Sequence, residues 1–165
     1  MGTADIKTLF KNVVRTVASR LSVQGFAQRG LALHKNVGSN VAIIEFQLSD
    51  KTSKECVVFT VNLAIVCGEL SGTAPRDARI MGAHLRQRLG FLLPQQADKW
   101  WEITAQTNVL ALADELSRKL EEFGVPYLDE YLDSRTLIAL WESGKSPGLT
   151  AVQRARFLNQ LGRAS

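Results

Sequence analysis

Four polar residues recur at alternate positions within two apolar segments. Glu45 and Gln47 lie in "VAIIEFQL" (41–48), Thr60 and Asn62 in "VVFTVNLAIV" (57–66). Side chains alternate across a strand, so a carboxylate, two amides and a hydroxyl at that spacing suit one face of a strand pair. Farther along, "HLRQRLGFLLPQQADKWWEI" (84–103) adds Arg86, Arg88, Trp100 and Glu102. On a strand, Trp100 and Glu102 point one way, Trp101 and Ile103 the other. We therefore take Glu45, Gln47, Thr60, Asn62, Arg86, Arg88, Trp100 and Glu102 as candidate ligand-binding residues. An indole beside a carboxylate, amides and guanidiniums can hold a small polar ligand or a peptide. The competing expectation covers Trp100 with helices, bonds the polar groups to one another, and pairs Arg86 and Arg88 with the acidic segment 114–130.

The inventory points away from catalysis, and no catalytic residue is assigned. A nucleophile needs an adjacent base and a group to orient it. The chain has two histidines, His34 and His84, and neither sits in a nucleophile motif. There is no G-x-S-x-G, P-loop, strand-borne G-x-G-x-x-G or H-E-x-x-H. Neither histidine has a carboxylate beside it, so neither a metal site nor a cofactor is expected. His84 reads as a loop or helix-start residue rather than a base.

These residues need a scaffold, and 165 residues suffice for a core without staples. The content is 45% hydrophobic and 22% charged, as in ordinary globular chains. Net charge is +4, but its distribution says more than its sum. Residues 1–35 carry Lys7, Lys11, Arg15, Arg20, Arg29 and Lys35 against Asp5; residues 108–133 carry seven acids against Arg118 and Lys119; Arg154, Arg156 and Arg163 follow. Such blocks face one another, face a partner, or are solvated helix faces. The basic stripe Lys7, Lys11, Arg15 has no interleaved aromatics, which argues against nucleic acid. No secretory signal or membrane-length apolar run is seen. Cys56 and Cys67 flank one expected strand, about 36 Å apart at ~3.3 Å per residue, too far for a disulfide. Unpaired cysteines and no leader give a cytoplasmic expectation.

Hydrophobic periodicity predicts a helix over 5–22, with the stripe Ile6, Leu9, Phe10, Val13, Val14, Val17 and Leu21, started by Thr3 or Asp5 and stopped at Gly25. Strands follow at 31–37, 41–48 and 57–66, the last two joined as a hairpin. Pairing their apolar faces puts Glu45, Gln47, Thr60 and Asn62 on a second, half-polar and open face. Residues 68–83 read as loop, 84–93 as either helix or strand, and 99–104 as strand. A helix with Leu112, Ala113, Leu116, Leu120 and Phe123 is expected to start at Thr107 or Asn108 and stop at Gly124 and Pro126. Short helices follow over 127–132, over "RTLIALWES" capped by Ser134 and ended by Gly144, and after Thr150 with Val152, Phe157, Leu158 and Leu161 inward. The fold class is α+β: a short antiparallel sheet packed on one face by the N-terminal helix and C-terminal helices. We divide it into an α+β domain (1–133) and a C-terminal helical extension (134–165) packed on the same domain.

"GFAQRG" (25–30), "EFQLS" (45–49), "FTVNLAI" (59–65), "RQRLGFLLP" (86–94), "WWEI" (100–103) and "VPYLD" (125–129) occur in an order that resembles the uncharacterised bacterial domain-of-unknown-function family 4304. The resemblance covers about residues 5–130. It implies an α+β domain with a short antiparallel sheet and supplies no activity or cofactor.

The leading reading is a small cytosolic, non-enzymatic binding or protein-interaction domain using the half-polar sheet face. Its partner is another protein or a small polar ligand. The alternative is an enzyme or small-ligand binder with Glu45 or Glu102 as acid or base, marked by a concave pocket around them. A third reading, weak nucleic-acid binding, predicts retention on a polyanion that falls steeply with salt. Self-association through strand edges or complementary helices is a further expectation.

Overall fold

A computed structural model describes residues 5–162. Thr3 and Arg163, named above, lie outside them. Helix α1 (Ile6–Leu21) begins where the Asp5 carboxylate accepts the Lys7 N–H, and it buries Phe10, Val13, Val14, Val17, Ala18 and Leu21. A 3-10 turn (Ser22–Gln24) leads to Gly25, and then the sheet begins.

Six strands form that sheet among the described residues: β1 (Ala27–Arg29), β2 (Ala32–Val37), β3 (Asn40–Leu48), β4 (Val57–Val66), β5 (Leu85–Arg88) and β6 (Trp101–Ile103). Each pairing is antiparallel, in the order β1-β2-β3-β4-β5, with β6 also on β4. Strand β1, three exposed residues beside Gly30, gives no apolar alternation and was not anticipated. Strands β5 and β6 share one edge of β4, at Asn62–Ile65 and Val57–Phe59. Between them the Thr60 hydroxyl donates to the Lys99 carbonyl at 2.7 Å, bridging the gap in the ladder.

The segment left open between helix and strand is both. Strand β5 ends in a 3-10 turn, Leu89–Leu92. A Cβ on Gly90 would stand 2.4 Å from the Ala97 carbonyl oxygen, so only glycine lets this turn lie against the chain leading into β6.

Alternation sorts the sheet as expected. Ala42, Ile44, Phe46, Phe59, Val61, Leu63 and Ile65 face the helices in one core with Phe10, Trp101 and Leu116. Rings of Phe10 and Phe59 lie 5.1 Å apart, and those of Phe59 and Trp101 5.9 Å. On the second face Val41, Ile43, Ala64 and Val66 are covered by Ala78, Ile80 and Ala83 from the 68–83 segment. That segment contains the single turn α2 (Gly68–Ser71) and two 3-10 turns. One end of the second face is thus a small core, and the polar end stays uncovered.

Helix α3 (Val109–Lys119) is capped by Asn108, whose side chain accepts the Ala111 N–H. The expected stop at Gly124 and Pro126 does not occur. Gly124 keeps a right-handed φ of −76°, and a π turn (Leu120–Gly124) carries the chain straight into α4 (Val125–Tyr131). The Val125 N–H reaches back to the Leu120 carbonyl, and Pro126 falls in the first turn of α4, where a missing N–H costs little. Helix α5 (Ser134–Ser143) is capped by Asp133 rather than Ser134. The Asp133 carboxylate accepts the Arg135 N–H at 2.8 Å, while the Ser134 hydroxyl is held by Asn40. Thr150 caps α6 (Ala151–Gln160) with a capping box to Gln153. Phe157 turns inward, but Val152 is 78% exposed and leaves the expected apolar side. Trp141 and Phe157 join the main core, with rings 5.4 Å apart.

The complementary charge blocks meet. Arg20 of α1 pairs with Asp114 of α3, and Lys35 of β2 with Asp129 of α4 at 2.8 Å. Among the described residues no helix is long and apolar enough to cross a membrane. Nor do three or more of His, Cys, Asp and Glu cluster there in a way that could hold a metal ion.

Candidate functional site

Strand register lays a polar row across the second face. Glu45 of β3 pairs with Asn62 of β4, and Asn62 with Arg88 of β5. One step along, Gln47 opposes Thr60; a step the other way, Ala64 opposes Arg86. Asn62 Nδ2 donates to Gln47 Oε1 at 2.6 Å and to Glu45 Oε1 at 3.2 Å. One amide thereby fixes two neighbouring side chains on β3.

This row floors a cavity of about 850 Å³. Glu45, Gln47, Asn62, Arg86 and Arg88 line it, with Leu63, Ile80, Met81, Gln87, Phe91, Asp98, Pro147 and Gly148. The walls come from three loops: 80–81 on one side, the turn after β5 with Asp98 on another, and the α5–α6 connection at Pro147–Gly148. Gly148 holds a φ of +71° and lies against Arg86, its would-be Cβ 3.5 Å from the Arg86 carbonyl oxygen.

Not every candidate reaches the cavity. Thr60 is fully buried and committed to Lys99. Glu102 is exposed opposite Val58, four residues along β4 from Asn62, or about 13 Å at strand rise. Trp100 is half-buried and stands outside the lining. Its Nε1 donates to Asp98 Oδ2 at 3.0 Å, and the Arg88 guanidinium lies 5.1 Å from its ring centroid. Arg88 Nη1 donates to the same Asp98 oxygen at 2.6 Å. The arginines therefore do not pair with the acidic helices: Arg88 takes Asp98, and Arg86 donates to the Met81 carbonyl at 2.8 Å. Partial burial acts against the Asp98 charge, but hydrogen bonds from Arg88 and Trp100 outweigh it and hold the carboxyl below its usual range.

Sequence reasoning missed Ile80, Met81, Phe91, Asp98, Pro147 and Gly148. All sit in irregular segments, where no periodicity marks a face. Two adjacent apolar residues, Ile80 and Met81, in a Gly- and Pro-containing stretch were the available signal.

Both histidines lie away from the cavity lining. Burial holds His84 down at about 4; its Nδ1 accepts the Cys67 N–H at 2.9 Å and its ring packs edge-on against Phe157. Burial first, then the charges of Arg29 and Arg79, hold His34 at about 4 as well. Burial raises the Cys67 thiol.

A family model described as "Domain of unknown function (DUF4304)" matches residues 17–130. The chain belongs to that family. The DUF4304 match takes in the whole cavity floor, from Glu45 to Arg88, and the wall residue Asp98, and leaves out Pro147 and Gly148, which also wall it. No curated protein matches the chain, and no solved structure does.

Proposed function

We propose that this chain is a non-enzymatic binding domain whose ligand lies in the groove on the half-polar sheet face. The observation that carries this reading is the groove itself: a floor in which Asn62 fixes Glu45 and Gln47, with Arg88 beside it, under apolar rims, at a size typical of ligand sites. Its polar groups fix one another, which favours orienting an occupant over moving protons. Thr60 is committed to the backbone and both histidines lie elsewhere, so among the described residues no hydroxyl or thiol with an adjacent imidazole lines the groove. A reducing, cytoplasmic setting suits the two unpaired cysteines. The domain is taken as residues 1–133, with 134–165 as an extension that supplies one groove wall.

The enzymatic alternative keeps one supporting observation, that Glu45 lines the groove. Glu102 does not share that place. The test is native mass spectrometry of tagged wild type, Met81→Glu and Leu110→Glu, each purified from the protein's own host lysate at low salt. Met81 is on the groove, and Leu110 is an exposed residue of α3 away from it. Added mass on wild type and Leu110→Glu that is missing from Met81→Glu supports the reading. Added mass on all three, or on none, overturns it.

A further inference from the structure

The groove's charges are unequally satisfied. Arg88 and Asp98 neutralise each other. Glu45 and Arg86 do not: among the described residues neither has an opposite charge within ion-pair distance. They stand on β3 and β5, with β4 between them and two residues of offset. At ordinary strand spacing that separates their Cα atoms by about 12 Å. Apolar side chains rise beside them. Met81 is 87% exposed and Phe91 45% exposed, both on the rim.

Each feature constrains the occupant. A carboxylate without a counter-cation at one end and a guanidinium without a counter-anion at the other favour an occupant with a cation and an anion that far apart. An anionic polymer would satisfy Arg86 and be repelled by Glu45. A small molecule within the groove would touch only the inward sides of Met81 and Phe91, whereas a polypeptide crossing the groove would also cover their outward surface. We infer that the occupant is an extended segment of another protein, with a cationic side chain at Glu45, an anionic side chain at Arg86, and an apolar side chain between them against Met81 and Phe91. This rests on the groove being the binding surface and adds the chemistry of what binds there.

The test pans a random nonapeptide library against the full chain. Enriched peptides are expected to place Lys or Arg and Asp or Glu on either side of an apolar residue. The best of them is then measured by fluorescence anisotropy against Glu45→Gln and Arg86→Gln, two substitutions that remove the charge and keep a polar side chain. Each is expected to weaken the peptide about fivefold, the scale of one exposed ion pair. Glu45→Gln should leave unchanged the affinity of a peptide whose own basic residue is already Gln, and Arg86→Gln likewise for the acidic residue. Enriched peptides without paired charges, or indifferent to both substitutions, overturn the inference. If Met81→Glu still abolishes their binding, the groove reading survives that outcome. No enrichment at all also overturns the inference, and the lysate experiment then judges the groove alone. A free Lys-Glu dipeptide that competes as well as the nonapeptide would rule out the polypeptide occupant.

Discussion

The Arg88 guanidinium lies over the Trp100 ring, 5.1 Å from its centroid, and both side chains bond one oxygen of Asp98. Three residues from β5 and the segment before β6 thus act as one unit at the groove's edge. Trp100 stands behind the groove and holds a residue that faces it. Trp100→Ala removes the stacking surface and one of the hydrogen bonds that hold Asp98 ionised. It is expected to cost about 1 kcal/mol or less in stability, because the unit is half-exposed. Ligand affinity should fall as well, since Arg88 loses the ring it stacks on and keeps only Asp98 to position it. Chemical denaturation and ligand titration of the same variant separate the two effects.

Asn40 ties sheet to helices. It is buried, donates to the Leu132 carbonyl at 2.9 Å and the Ser134 hydroxyl at 2.8 Å, and accepts the Gly68 N–H at 3.0 Å. Asn40→Ala leaves that amide and that carbonyl without their side-chain partner in a largely buried site. We expect a loss of about 2–4 kcal/mol, read from the urea midpoint. A value below about 0.5 kcal/mol would mean that water replaces all three bonds.

His84 makes stability pH-dependent. Its folded value of about 4 lies below the ordinary 6.5, so folding favours the neutral ring. That contribution is complete above pH 6.5 and is lost as pH falls from 6.5 toward 4. Between pH 7 and pH 5 the loss from this residue is about 2 kcal/mol. His84→Gln keeps an acceptor for the Cys67 N–H and should reduce the slope over that window, leaving the part that His34 contributes. An unchanged slope, or a His84 ring that titrates near 6.5 by NMR, contradicts the burial argument.

The two thiols should differ in reactivity. Cys67 is buried, and burial raises its thiol, whereas Cys56 is partly open at the start of β4. Alkylation of the native protein is expected at Cys56 well before Cys67. Equal labelling would show that the β4–α2 corner opens readily.

How much of this was legible in sequence depends on periodicity. Strands β3 and β4 alternate apolar and polar residues over 44–48 and 59–63, so their register placed Glu45, Gln47 and Asn62 together. The stripe of α1 was equally clear. Strand β1 is too short and polar to alternate. Gly124 and Pro126 mark a stop by composition, yet tertiary packing kept Gly124 helical and a π turn absorbed the proline. Parity put Thr60 and Glu102 on the correct face. It could not say that Thr60 would be covered, or that Glu102 lies beyond the groove's end. The walls come from turns and from the α5–α6 connection, where neither spacing nor residue type predicts which side chain points inward.

Binding is expected on the half-polar face. Hydrogen exchange read by mass spectrometry, on the complex from lysate and on the same protein after dissociation, tests it directly. Slowed exchange is expected only in segments that line the groove, 44–48, 61–64, 80–91 and 147–148, with α1 and β1 unchanged. Slowed exchange at α1 or β1, with the groove unaffected, would contradict it.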